Sequence, residues 1–378
     1  MNERLNSTIR DAMRLMQTGD LFAATAAIQQ RLAAVPDAVS TSAPASVTDP
    51  IEATFRVVDE LPSAAPHSSF ENAPGHAPDA RRRTQFSEHA YTGPAGSRRY
   101  KLFVPSVYRG QELPLVVMLH GCTQTPDDFA TGTRMNIVAE ERGCFVAYPA
   151  QAQNANISKC WNWFKASDQG RDQGEPAIIA GLVRELSLTY GLDQERIYVA
   201  GLSAGGAMAV ILGRTYPDLF AAVGVHSGMP YRAAHDLPSA FAAMQRAHPA
   251  ESRRGRPESA HPWPSSVSVI VFHGDRDTTV HPGNGLQVAT ETAPAYADAS
   301  SKGSPAAAES RTGETPGGHA CTRTIYKDAS DRIVVEHWLV HGAAHAWFGG
   351  DPRGSFTDPS GPDATREMMR FFVDRARR

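Results

Sequence analysis

The chain has 378 residues, long enough for one α/β domain of ordinary hydrolase size plus an appendage, with a core that is stable without staples. Its formal charge of -3, from 37 Lys and Arg against 40 Asp and Glu, gives no argument for nucleic acid as a partner. Four cysteines, Cys122, Cys144, Cys160 and Cys321, are too few for a disulfide scaffold and lack the C-x-x-C or His-Cys spacing of a metal site.

Residues 1–35 disperse their charges instead of placing a basic cap before an apolar core, so no signal peptide is expected. No run of 18 apolar residues occurs anywhere, which excludes a transmembrane helix by sequence. Leu5, Ile9, Met13 and Met16, then Leu21, Phe22, Ile28 and Leu32, fall at helical spacing on either side of Thr18-Gly19-Asp20 and predict a helical hairpin. It either docks on the following domain or offers an amphipathic surface to something hydrophobic. Residues 36–85 turn to Pro, Ala, Ser, Asp and His with few large apolar side chains, the composition of a flexible linker. The catalytic domain is expected over 86–378.

Ser97–Pro105 alternates and reads as a half-buried strand of an edge type. Leu115–Leu119 is an unbroken apolar run, a strand buried on both faces of a parallel sheet. It ends in His120-Gly121-Cys122-Thr123-Gln124, where the glycine lets loop N–H groups turn toward a bound oxygen; His120 itself reads as structural. Met135–Arg142 is helical, Cys144–Pro149 a second buried strand, and Cys160-Trp161-Asn162-Trp163-Phe164 an aromatic loop that either seals the domain or walls a substrate site. Glu175–Tyr190 carries Ile178, Ile179, Leu182, Val183 and Leu186 at helical period.

Next comes Arg196–Gly206: an alternating apolar strand, then Gly201-Leu202-Ser203-Ala204-Gly205-Gly206, then a helix-forming run. In a G-x-S-x-G elbow the chain reverses so sharply that only glycine fits two before and two after the serine. The turn exposes the Ser203 hydroxyl and sets the Ala204 N–H at a helix N-terminus, where negative charge is stabilised. Cys122 N–H and Ala204 N–H are therefore the expected oxyanion donors. Phe220–Val225 is a further strand; residues 232–266 read as an insertion over the sheet, and Ser227 as pocket floor.

Val267–Phe272 leads into His273-Gly274-Asp275-Arg276-Asp277, where two carboxylates compete to be the acid that orients a histidine. Asp277 is the expected acid, with Asp275 forming the turn. A mobile loop is expected from about Ala289 to Gly318. Ile333–Leu339 is a last strand, followed by His341 and His345; His345 has the better reach for the base. A helix over Asp363–Arg375 closes the domain. The chain order Ser203, Asp277, His345 is that of an α/β-hydrolase with a mostly parallel central sheet.

LHGCTQ at 119–124, CWNWF at 160–164, GLSAGG at 201–206, HGDRDTTV at 273–280 and GAAHAWFGG at 342–350 resemble, in order, the motifs of the polyhydroxybutyrate depolymerase family of esterases. The resemblance implies a triad of Ser203, Asp277 and His345, an oxyanion loop at Cys122, and a substrate-facing role for Trp161 or Trp163; Trp347 is expected near the same loops. Feruloyl and acetylxylan esterases share these motifs and form the alternative substrate class. A further alternative is a non-catalytic protein of polymer granules, disfavoured because all three triad residues are present. The expectation is a serine esterase without metal or organic cofactor. It resembles the intracellular branch, cytoplasmic, with the N-terminal hairpin as a candidate contact to a granule surface.

Overall fold

The computed structural model describes residues 85–246, 263–293, 309–314 and 318–376. The expected hairpin of residues 1–35, nearly all of the linker, and residues 247–262 of the insertion lie outside the described residues.

Ten strands form one sheet: β1 (Gln85–Gly93), β2 (Gly96–Val104), β3 (Leu115–Leu119), β4 (Phe145–Pro149), β5 (Ile197–Leu202), β6 (Ala222–His226), β7 (Ser268–Gly274), β8 (Glu309–Glu314), β9 (Ala320–Lys327) and β10 (Ile333–Val340). Their order is β1-β2-β4-β3-β5-β6-β7-β10-β9-β8. The six strands from β4 to β10 run parallel, whereas β1 and β2 at one end and β9 and β8 at the other are antiparallel additions. The parallel strands are apolar because helices cover both faces. Along β3, Leu115, Val117 and Leu119 enter one core and Val116 and Met118 the other.

The first core is completed by α3 (Gly174–Tyr190), α4 (Ala204–Thr215), α5 (Leu237–Gln245) and α6 (Gly283–Thr292). The second is completed by α1 (Pro126–Thr133), α2 (Met135–Arg142) and α7 (Ala364–Val373). Helix starts follow local chemistry: the Thr125 side chain accepts from Asp128 N–H ahead of Pro126, and the Asp363 side chain accepts from Arg366 N–H.

Two expectations are corrected. The strand at Ser97–Pro105 is not the edge, because β1 pairs outside it in a hairpin register from Gln85↔Val104 to Gly93↔Gly96. The stretch expected to be a mobile loop includes the end of α6 and all of β8, although residues 294–308 and 315–317 are not described. Apolar periodicity missed β8 because its exposed sequence is polar; pairing with β9 holds it, including a 2.9 Å contact between the Ser310 and Thr324 hydroxyls. Helix α1 was also missed, its Pro and Gly content masking a capped two-turn helix.

Register fixes where the loops emerge. Leu119 pairs with Gly201, Leu202 with His226, His226 with Phe272, and His273 with Leu339. The loops after β3, β5, β6, β7 and β10 thus leave one edge of the sheet together, the edge where open α/β sheets place their sites.

Candidate active site

Ser203 stands between β5 and α4 with φ 57° and ψ -118°, a conformation side-chain-bearing residues rarely adopt. The flanking glycines are a steric requirement. A Cβ on Gly201 would lie 2.3 Å from Gly205 C, and one on Gly205 would lie 2.0 Å from Leu119 O. The Ser203 N–H donates to His226 O at 2.8 Å, tying the turn to β6. Ala204 opens α4, so its N–H is one of the first-turn donors without an acceptor inside the helix.

The loop after β3 is braced from several sides. Gly121 N–H donates to Gln124 Oε1 at 2.9 Å, and Gln124 Nε2 donates to Asp128 Oδ2 at 2.9 Å and Ser355 O at 3.0 Å. Thr123 N–H donates to Ser158 O at 2.7 Å, and Trp161 Nε1–H to His120 O at 3.1 Å. A disulfide joins Cys122 to Cys160, with Cα atoms 4.2 Å apart; Cys144 and Cys321 are free and buried. None of these bonds uses the Cys122 N–H.

Losing that brace has a measurable consequence. Cys160→Ser is expected to cost about 3 to 4 kcal/mol of stability from the opened loop. It should also lower kcat for a short p-nitrophenyl ester by about 10- to 100-fold, because a displaced donor costs rate more than ground-state binding. Thermal unfolding and steady-state kinetics check this; unchanged kcat would mean the hydrogen bonds alone hold the loop.

His345 Nδ1–H donates to Asp277 Oδ2 at 2.6 Å in a pair almost removed from solvent. Asp277 Oδ1 accepts from Thr279 N–H at 2.9 Å and Val280 N–H at 2.8 Å. Burial alone would push this carboxyl up, but the neighbouring His345 charge and the bonds from His273 and His345 outweigh it, leaving it well below the usual carboxylate range. Asp277 is therefore an anion at any ordinary pH.

The rival carboxylate does more than form a turn. Asp275 Oδ2 accepts from His341 Nδ1 at 3.0 Å and its Oδ1 from Gly342 N–H at 2.7 Å, while Thr322 Oγ1 lies 2.8 Å from His341 Nε2. The structure thus holds two Asp–His pairs side by side, and burial separates them: side-chain exposures are 0% and 9% for Asp277 and His345 against 32% and 38% for Asp275 and His341. Asp275 staples the strand ends at the surface; Asp277 sits inside.

His226, which carried no sequence signal beyond its place at a strand end, links the elbow to the histidine loop. Its carbonyl takes the Ser203 N–H and its Nε2 accepts from Phe348 N–H at 3.1 Å. Burial first, then the neighbouring imidazoles of His273 and His345, hold it well below the ordinary imidazole value, so it stays neutral. Among the described residues the Ser203 hydroxyl makes no hydrogen bond to His345. Such contacts commonly close only when substrate arrives. His120 has both ring nitrogens engaged, Nδ1–H donating to Gly121 O at 2.7 Å and Nε2 accepting from Gln151 N–H at 3.1 Å. Burial lowers it to about 4, which leaves it a structural residue.

Trp161, Trp163 and Trp347, the residues of the expected aromatic wall, are 0%, 6% and 1% exposed. Trp161 packs under the Arg98 guanidinium and beside His120, and Trp163 meets Phe164 edge-on. Trp347 stacks on His226, meets Phe129 edge-on and donates to Thr365 Oγ1 at 3.0 Å. Each indole fills a core beneath the loops. The loop carrying Trp161 is held from below by buried Glu175, which accepts from Gln151 Nε2, Asn162 N–H and Asn162 Nδ2. A surface cleft of about 800 Å³ lies along β1, β2 and residues 150–155, and none of Ser203, Asp277 and His345 lines it. No group of three His, Cys, Asp or Glu side chains among the described residues is placed to hold a metal ion.

The family described as Esterase PHB depolymerase matches residues 98–316. Poly(3-hydroxyalkanoate) depolymerase C of Paucimonas lemoignei is 32% identical over 240 residues, 61% of this chain and 54% of that protein. Feruloyl esterase B of Neurospora crassa is 28% identical over 185 residues, 44% of this chain and 60% of that protein. The chain spans little more than half the length of these relatives. In fold it is similar to the acetyl xylan esterase from Aspergillus awamori, with a TM-score of 0.57 at 21% identity over 76% of this chain and 99% of that one.

Proposed function

The chain belongs to the esterase PHB depolymerase family, and from that premise we propose that it hydrolyses carboxylic esters of poly(3-hydroxybutyrate) or its oligomers through an acyl-enzyme on Ser203. The reading is supported above all by the buried Asp277–His345 pair at the sheet edge where the strained Ser203 turn emerges. His345 takes the Ser203 proton as the hydroxyl attacks the ester carbonyl, and Asp277 fixes the Nδ1–H tautomer and stabilises the imidazolium. The Cys122 and Ala204 N–H groups receive the tetrahedral oxyanion; one such donor is worth about 3 to 4 kcal/mol of barrier. His345 then returns the proton to the leaving alcohol, and water repeats the sequence on the acyl-enzyme. The charge moves among groups already in place, and no cofactor takes part in any step.

The polyester is favoured over the feruloyl class because the depolymerase relative matches a larger share of this chain at higher identity. The second reading, a feruloyl or acetylxylan esterase, draws on the relatives that share the same motifs. A granule-surface contact through residues 1–35 accompanies the first reading. A substrate panel separates them: amorphous polyhydroxybutyrate, hydroxybutyrate oligomers, a p-nitrophenyl ester, methyl ferulate and acetylated xylan. Release of hydroxybutyrate units from the oligomers with kcat/KM at least about tenfold above that for ferulate is the expected result, a margin within reach of pocket contacts. Ferulate or acetate release without hydroxybutyrate release would install the second reading.

A further inference from the structure

A second histidine touches the carboxylate of Asp277. His273 lies at the end of β7 and is fully buried. Its Nε2 is 2.8 Å from Val280 O, an atom that only accepts, so Nε2 carries the proton. The same Nε2 lies 3.3 Å from Asp277 Oδ2, the oxygen that receives His345. His273 Nδ1 is buried without a protein partner among the described residues, as suits the bare lone pair of a neutral ring. On the far side the ring meets α6 at Gly285, where a Cβ would lie 2.5 Å from Nδ1, so helix and acid loop fix the ring between them.

Resting on the triad reading above, we propose that His273 is a positioning residue of the site: its shared Nε2–H holds Asp277 Oδ2 in the orientation that receives His345 Nδ1–H and draws off part of the charge His345 feels. With Thr279 and Val280 N–H on Oδ1 and two imidazoles on Oδ2, the carboxylate has no free rotation left. The titratable groups facing this cluster are His226 from β6 and His337 from β10. Burial lowers both, His337 to about 4, so neither adds a competing charge near neutral pH. Helix α6 meets the ring at Gly285.

The test uses two amides of different reach in the full-length protein. In His273→Gln the side-chain NH₂ reaches the Nε2 position; in His273→Asn it reaches only the Nδ1 position and leaves Asp277 without its second donor. Kinetics on a short p-nitrophenyl ester are normalised to sites titrated by a serine-directed phosphonate. The Asn variant is expected to lose about 10- to 100-fold in kcat with KM nearly unchanged. Its acid limb of kcat/KM should move to higher pH, because a carboxylate with one donor fewer stabilises the His345 imidazolium more. The Gln variant should stay within about threefold of the parent with the limb in place. Equal losses in both variants, or an unmoved acid limb in the Asn variant, would reduce His273 to a packing role and overturn the proposal. If the Asn variant yields no titratable sites, His273→Leu takes its place with the same expectations. A parent protein that neither turns over the ester nor takes the label would instead contradict the triad reading.

Discussion

Ser203→Ala is expected to remove turnover of every ester in the panel, a loss on the order of 10⁶ in kcat by analogy with other serine hydrolases of this chemistry. The melting temperature should stay within about 2 °C of the parent, which for a domain of this size corresponds to a change of no more than about 1 kcal/mol. Both halves follow from the same geometry. The strained φ of 57° belongs to the turn, and alanine carries the same Cβ there, so the substitution neither relieves nor adds backbone strain. Gly201, Gly205 and Leu119 keep their close packing, and Ser203 N–H still reaches His226 O. What goes is the one hydroxyl. Residual turnover at more than about one part in a thousand of the parent would mean another nucleophile.

Asp277→Asn should cost about 10⁴ in kcat, and Asp275→Asn less than about tenfold. Asparagine at 277 can satisfy the Thr279 and Val280 N–H groups with its oxygen, but then it turns an NH₂ toward His345 Nδ1. That favours the tautomer with Nε2–H, which cannot take the serine proton. The same change at 275 disturbs a pair about one-third exposed, where water replaces the lost contact to His341. Kinetics of both variants on one short ester check this; equal losses, or the reverse order, would move the acid to Asp275.

The elbow was legible in the sequence because its requirement is local: Gly201 and Gly205 are demanded by backbone atoms within a few residues and by the neighbouring strand. The central strands were legible because burial on both faces leaves them without polar interruptions. Asp277 and Asp275 differ in burial, which the spacing HGDRD does not encode. The aromatic loop left two readings open for a related reason. Three aromatics in four positions announce a large apolar area but not its direction, and here the indoles face inward on Arg98, His120 and the core. The pairing of Cys122 with Cys160 depends on two loops meeting across 38 residues, a tertiary fact without a local mark. The polar strands β1 and β8 escaped because edge strands are held by backbone pairing, and their side chains need not alternate.

The central claim, an acyl-enzyme on Ser203, is tested most directly by rapid acid quench during turnover of a slowly deacylated ester, followed by peptide mapping by mass spectrometry. The predicted result is one acyl group per active chain, on the peptide containing Ser203, and its disappearance in Ser203→Ala while Asp275→Asn still acylates. An acyl group found on another residue, or turnover of that slowly deacylated ester in which no covalent intermediate accumulates on Ser203, would contradict it.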